Sequence, residues 1–319
     1  MEARNMTQQY WVTDTLGGNL GIAKLSKVIR HAAQPLMKFR QFVDAKEAVG
    51  LNNNDTFVFD KVGNLAVAGG TLIETNTVPE THFVIQKGTL VVTEYGNAGK
   101  LTGKLSALAE INPKNVLQQA LRNDQVKVLD SAAGTQFKAT KTRYVALSAS
   151  SGTLITDGTF TSTATGDLNV YHAGVAVDQL KSWNIPKYDG SNFICIASVK
   201  SLRSLRNDTA AGGWIDAAKY GDNQRLFSGE IGRLGGVRYI EETNVLSNAI
   251  GASSAYGEWI MFGADAVAEG IAIPEEIRVD DPTDLGRSQK FGWYALLGYK
   301  ICWDYSTDTE SHIIYAGSA

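Results

Sequence analysis

The chain has 319 residues, 44% of them hydrophobic and 20% charged, with a formal net charge of -3. That length suits about two domains with a sizeable core. The charge argues against a dedicated nucleic-acid binder, which would carry a basic patch and a high pI.

Residues 1–20 are polar and Gly-rich and read as an arm that needs a partner to become ordered. Over 22–34, Ile22, Leu25, Ile29 and Ala32 or Ala33 share a helical face, and Pro35 stops the run. Lys24, Lys27 and Arg30 make its other side basic: a contact for nucleic acid or an acidic neighbour, or simply a solvated face. From 55 to 95 the pattern is extended. Thr56 to Phe59 is an extended run, Gly69-Gly70 marks a turn after which Thr71 to Ile73 continues the run, and His82 to Gln86 and Leu90 to Tyr95 are two more, broken at Gly88. Alone, such a hairpin presents open edges, an association liability.

Asn112-Pro113 starts a helix, with Asn as cap and Pro at the first helical position. Val116, Leu117, Ala120, Leu121, Val128 and Leu129 recur along it as a core stripe, and Gly134 is the expected stop. Tyr144 to Leu147 is a strand within a Ser, Thr and Gly-rich stretch. Gly166-Asp167 opens a second helix to about Trp183, with Leu168, Tyr171, Val175, Gln179 and Leu180 roughly along it and Asn184-Ile185-Pro186 at its end. Phe193 to Ala197 reads as a short buried strand, Val199 to Arg206 as a short helix, and Trp214 to Tyr220 as another helical piece.

Residues 229–244 hold Gly229, Gly232, Gly235 and Gly236, then the strand formers Val237 to Ile240, then Glu241 and Glu242. A phosphate cradle would need different glycine spacing and a helix after it. An acid–base pair drawn from Glu230, Glu241 and Glu242 is disfavoured, because adjacent strand residues point to opposite faces. A turn feeding an exposed strand fits best. The tail carries a turn at Asp284 to Arg287, a Trp- and Tyr-rich strand at Phe291 to Lys300 and a last strand at His312 to Tyr315.

Catalytic signals are weak. His31, His82, His172 and His312 are scattered, and neither His-Glu-x-x-His nor Cys-x-x-Cys nor Gly-x-Ser-x-Gly occurs. Cys195 and Cys302 sit in apolar runs and are expected as buried free thiols, which suits a reducing cytoplasm. No run approaches the roughly 20 apolar residues of a membrane helix, and no signal core opens the chain. Glu275, Glu276, Asp280, Asp281 and Asp284 could offer oxygens to Ca²⁺ but lack EF-hand spacing, so a solvated acidic loop is favoured. No catalytic residue, metal or cofactor is expected.

The 227–241 stretch also carries a resemblance. Phe227, Gly229, Glu230, Ile231, Gly232, Gly236, Val237, Arg238, Ile240 and Glu241 match, in type and spacing over fifteen positions, a signature of tailed-phage major capsid proteins with the Hong Kong 97 (HK97-like) fold. The chain is most similar to the family named after coliphage N-four. The resemblance implies an α+β fold: an N-terminal arm (1–50), an extended β-hairpin loop (51–103), a peripheral domain with a long spine helix (104–165 and 284–319) and an axial domain (166–283). It implies a non-enzymatic protein that associates with itself into pentamers and hexamers around double-stranded DNA, contacted non-specifically. A separate scaffolding protein, a portal and a decoration or cement protein are the implied partners, with no membrane. The implied location is the virion capsid, assembled in the host cytoplasm. Subunit-interface candidates are Gly69, Gly70, Glu230, Arg233, Arg238, Glu241, Glu276 and Arg287. An encapsulin-like compartment shell enclosing cargo enzymes is the alternative. A soluble enzyme using Glu230 or Glu241 is the third reading.

Overall fold

The computed structural model describes residues 33–48, 55–63, 69–74, 77–78, 80, 85–109, 112–160, 163–210, 213, 230–246, 257–282, 285, 287–308 and 310–319. The first strands are β1 (Asp44–Ala48), β2 (Thr56–Val62), β3 (Ile85–Val91) and β4 (Thr93–Thr102), then helices α1 (Gly103–Leu108) and α2 (Pro113–Lys138). Next come β5 (Arg143–Ser148), β6 (Ser151–Ile155), α3 (Val170–Ser182), β7 (Phe193–Ala197) and α4 (Val199–Arg206). The chain ends with β8 (Glu230–Leu234), β9 (Val237–Glu241), β10 (Gly257–Phe262), β11 (Val267–Val279), β12 (Ser288–Ile301), α5 (Tyr305–Asp308) and β13 (Ile313–Ser318). This is the expected mixed α+β composition. The helical readings at 22–32 and 214–220 lie outside the described residues, and residues 33 and 34, the end of the first, are not helical.

The strands form three sheets. One has the order β6-β5-β13-β10-β7-β9-β8, one β1-β11-β12-β4, and β2-β3 stands as a separate pair. The seven-stranded sheet combines β5, β6 and β13, from segments expected in the peripheral domain, with β7 to β10, from the axial segment. Its central strands are buried on both faces, so they read as continuous apolar runs. Side chains still alternate. Ile194, Ile196, Ile260, Phe262, Ile313 and Tyr315 face a core shared with α2 and the four-stranded sheet. Phe193, Cys195, Trp259, Met261, Ile314 and Ala316 face α3 and α4.

Helix α2 joins the two large sheets. Asn112 caps it, its Oδ1 accepting the Lys114 N–H at 3.0 Å, and Pro113 fills the first turn. At ~1.5 Å per residue it spans roughly 39 Å. Its first half lies on the four-stranded sheet, where the Trp293 Nε1–H donates to Asp124 at 3.0 Å. Its second half meets the seven-stranded sheet, with Phe137 and Phe262 ring centroids 4.9 Å apart. Gly134 is not the stop: the helix continues to Lys138. A Cβ at Gly134 would sit 2.8 Å from Val245 and 2.9 Å from Phe39, so glycine there admits two packed side chains. Ala120, expected in the stripe, is exposed.

Other expectations shift by small amounts with clear causes. α3 starts at Val170 because Asn169, not Gly166-Asp167, caps it; the Asn169 Oδ1 accepts the His172 N–H at 3.1 Å. Its buried face is His172, Ala173, Ala176, Val177 and Leu180, while Tyr171 is exposed. Its end is as read: Asn184 takes φ 58, its N–H reaching the Lys181 carbonyl and the Ile185 N–H the Leu180 carbonyl, a Schellman closure. Thr71 to Ile73 is not a strand. Strand β3 runs through Gly88, and the break falls at Val92. Gly88 lies opposite Phe59, whose ring occupies the space a Cβ would need, so an aromatic covers the glycine and the pairing continues. Of the cysteines, Cys195 is buried and Cys302 half-buried.

Candidate functional site

The strongest candidate is a surface. In the β2–β3 hairpin one face turns Phe57, Phe59 and Leu90 inward, packed with Val92 against Ala268, Ala272 and Leu296. The other face holds Val58, Val62, Ile85 and Val91, 45%, 59%, 50% and 53% exposed, with Asp60 opposite Lys87 among them. Four apolar side chains on the open face of a two-stranded sheet are unusual, because such a pair is marginal in water by itself. The signal is readable in Phe57-Val58-Phe59, where apolar residues occupy both phases of the alternation. Gly69 and Gly70 lie beyond β2 in an exposed coil. Neither has a positive φ, and open space surrounds where their Cβ atoms would be.

The β8–β9 hairpin is built differently. Gly235 and Gly236 take φ 62 and φ 79, the conformation of a tight two-residue turn, and Leu234 pairs with Val237 across it. β9 is not an exposed strand. It lies between β7 and β8 with Val237, Tyr239 and Ile240 buried. Arg233 and Arg238 face each other in register, and Arg238 pairs with Asp189 at 3.3 Å. Glu230 pairs with Ile240 at the other end of the hairpin, and Glu241 pairs with Ala197 of β7. Adjacent Glu242 is buried, and its carboxylate accepts the N–H groups of Asn244, Val245 and Leu246. Desolvation raises its pKa, helped by the charge of Asp130. It holds a loop rather than a reacting atom.

Glu276 and Arg287 belong to the other large sheet. Glu276 pairs with Arg278 at 2.5 Å near the far end of β11, both about half exposed. Arg287 is exposed, and its carbonyl accepts the Gly103 N–H at 2.7 Å. The interface candidates therefore fall into three places: the coil after β2, the β8–β9 hairpin and the end of the β11–β12 pair. Glu275 turns the opposite way from Glu276. It receives the Arg40 guanidinium at 2.8 and 3.0 Å, while Glu269 accepts the Arg40 Nε–H at 3.1 Å and the Tyr299 hydroxyl at 2.9 Å. The Arg40 hydrogen bonds hold the Glu275 carboxyl below its ordinary value. With Phe39 buried and Leu36 exchanging hydrogen bonds with Thr243, this clamps the 36–43 segment onto the body. No local sequence signal reveals it, because Arg40 and Glu275 are 235 positions apart.

Among the described residues, both histidines are hydrogen-bonded. His172 Nε2–H donates to the Ser148 carbonyl at 2.7 Å, leaving Nδ1 to accept the Tyr144 hydroxyl at 2.8 Å. His312 Nδ1–H donates to the Ala264 carbonyl at 2.6 Å, and its ring stacks on Trp303. Burial lowers both histidines and raises the Cys195 thiol. Among the described residues no group of three or more His, Cys, Asp or Glu is placed to hold a metal ion, and no helix is long and apolar enough to cross a membrane.

Comparison with solved structures places this geometry. A chain of the cyanophage Pam1 capsid superposes with a TM-score of 0.68 at 15% identity, covering 98% of this chain and 100% of that one. A capsid chain of Ralstonia phage GP4 gives 0.68 at 15%, over 93% and 94%. A capsid chain of Helicobacter pylori bacteriophage KHP30 gives 0.62 at 14%, over 100% and 99%. The chain has the phage-capsid fold. No family model matches the sequence, and no curated protein matches it.

Proposed function

We propose that this chain is the major capsid protein of a tailed bacteriophage of the N-four type, with many copies forming an icosahedral shell of pentamers and hexamers around double-stranded DNA. The observation that carries this is the end-to-end match: the chain spans the full length of a phage capsid chain, with neither partner leaving a large domain over. The exposed face of β2–β3 supports it physically. Burying the remaining exposed area of Val58, Val62, Ile85 and Val91 on a neighbour would contribute on the order of 1–2 kcal/mol each. Weak contacts of that size sum over a closed symmetric surface.

In this reading the coil at Gly69 and Gly70 and the charged positions Glu230, Arg233, Arg238, Glu241, Glu276 and Arg287 meet neighbouring copies. The 36–43 clamp and α2 keep the body rigid while the hairpin reaches outward. Assembly takes place in the host cytoplasm with a scaffolding protein and a portal, a decoration or cement protein binds the outside, and DNA is contacted through its phosphates without sequence preference. The role is structural, without catalytic residues or a cofactor.

The test is electron microscopy of particles purified from cells expressing the chain with its genomic neighbours. Closed shells with five- and six-fold capsomers that contain DNA are expected. Shells filled with protein cargo would favour the compartment reading, and a discrete monomer that never forms shells would overturn both.

A further inference from the structure

Among the described residues the β2–β3 pair has no hydrogen-bonded strand neighbour, so other contacts set the direction in which it leaves the body. Its base is fixed by the Val92 N–H to Asp55 carbonyl bond at 3.0 Å and by Phe57, Phe59 and Leu90 on the body. The next inward position along β2 is Lys61. Its ammonium reaches Asp308 of α5 with both carboxylate oxygens at 2.9 and 2.7 Å, and lies 5.3 Å from the Trp303 ring centroid. The Asp308 side chain is 1% exposed and that of Lys61 11%. The carboxylate is held in turn by the Asp304 N–H at 3.0 Å and the Thr307 hydroxyl at 3.0 Å.

Two cavities flank this contact. One, of about 390 Å³, is lined by Phe57, Phe59, Lys61, Glu269 and Trp303. The other, of about 510 Å³, is lined by Lys61, Gln86, Gly88, Gln136 and Asp308. Lys61 belongs to the wall of both. Packing of Phe57, Phe59 and Leu90 holds the base of the hairpin, and the space on either side of Lys61 leaves its outer part less restrained by packing. A buried, two-pronged ion pair is directional and strongly resists losing one partner, because the other charge would be left desolvated.

We propose that Lys61 and Asp308 are positioning residues that fix the angle of the β2–β3 hairpin, presetting its apolar face for docking on a second copy. The docking half rests on the capsid reading; the angle itself does not. The pair ties the outer part of the hairpin to α5 and gives the subunit one pose before assembly.

The experiment measures that angle in the full-length chain. Spin labels at Lys87→Cys on the hairpin and Lys181→Cys on α3, in a Cys302→Ser background, give an inter-label distance distribution. Lys61→Met keeps the stem and removes the charge. It is expected to widen the distribution at least twofold, with the far-ultraviolet spectrum of the folded body unchanged, whereas Lys61→Arg keeps the narrow distribution. The same variants, co-expressed with the assembly partners, are expected to show a particle yield at least tenfold lower for Lys61→Met and near the parent for Lys61→Arg. A Lys61→Met distribution as narrow as the parent's overturns the positioning role. Should Lys61→Met not fold, Asp308→Asn supplies the same comparison. If the parent chain forms no shells, the capsid reading fails while the distance measurement still decides the role of the pair.

Discussion

Two antiparallel hairpins in this chain end in opposite environments. β8–β9 has a tight Gly235-Gly236 turn and sends β9 into a sheet covered on both faces, where Val237 and Tyr239 are buried. β2–β3 is covered on one face and leaves Val58, Val62, Ile85 and Val91 half exposed. The residue types are similar, so strand propensity does not separate them. What separates them is how many elements pack around each. The first is a structural strand whose apolar content stabilises the subunit. The second leaves apolar side chains half exposed in the subunit alone, and in the capsid reading that face meets a neighbouring copy.

That contrast breaks if substitutions in the two hairpins behave alike. The largest expected effect is in β9: Tyr239→Ala should cost about 3–5 kcal/mol in urea unfolding, the range for emptying a buried aromatic site. A loss below about 1 kcal/mol would mean that the sheet interior relaxes around the hole. Next comes the tie between α2 and the same sheet. Lys138 Nζ meets Glu258 at 2.9 Å, and the Glu258 side chain is 1% exposed. Lys138→Met should destabilise by about 3 kcal/mol, because a buried carboxylate then lacks its counter-charge. Restoration by a second change, Glu258→Gln, would sharpen the point.

A smaller effect is expected from pH. Burial holds His172 and His312 below the ordinary histidine value, so the unfolded chain protonates first as pH falls. Their contribution is complete above an unfolded value of about 6.5 and is lost as pH drops toward the folded values. Asp130 and Glu242 work the other way: desolvation raises both, so stability gains as pH falls from their raised values to the ordinary carboxylate range. From about pH 7.5 to about pH 5.5 the melting temperature should therefore fall, and His172→Gln should flatten the slope. An unchanged slope in that variant would remove His172 from the explanation. The smallest stability effect belongs to the other hairpin. Val58→Ser with Val62→Ser should change unfolding free energy by about 0.5 kcal/mol or less, yet should lower the yield of assembled particles severalfold. Equal losses in stability and assembly would erase the distinction between the hairpins.

The legible parts of the fold are those decided locally. Asn112-Pro113 caps its helix through neighbouring atoms, and β7 and α4 carry their own patterns and boundaries. Gly134 and Gly88 mislead because their reasons lie elsewhere in the chain, in Val245 and Phe39 for one and in Phe59 for the other. The clamp on Arg40 and the Lys61–Asp308 pair are invisible for the same reason, since their partners are more than 200 positions away. Of the candidate surface, the tendency of 55–95 to present open strand edges is readable. Which apolar residues remain exposed is not, because Phe57, Val58 and Phe59 differ only in what the body provides beneath them.

The most direct test is hydrogen exchange on β2–β3 in the isolated chain and in assembled particles. If the hairpin's open face docks on a second copy, its amides should exchange at least tenfold more slowly in particles, while β7 and β10 remain equally protected in both. Intact particles in which β2–β3 exchanges as fast as in the isolated chain would contradict the assignment of that face to assembly.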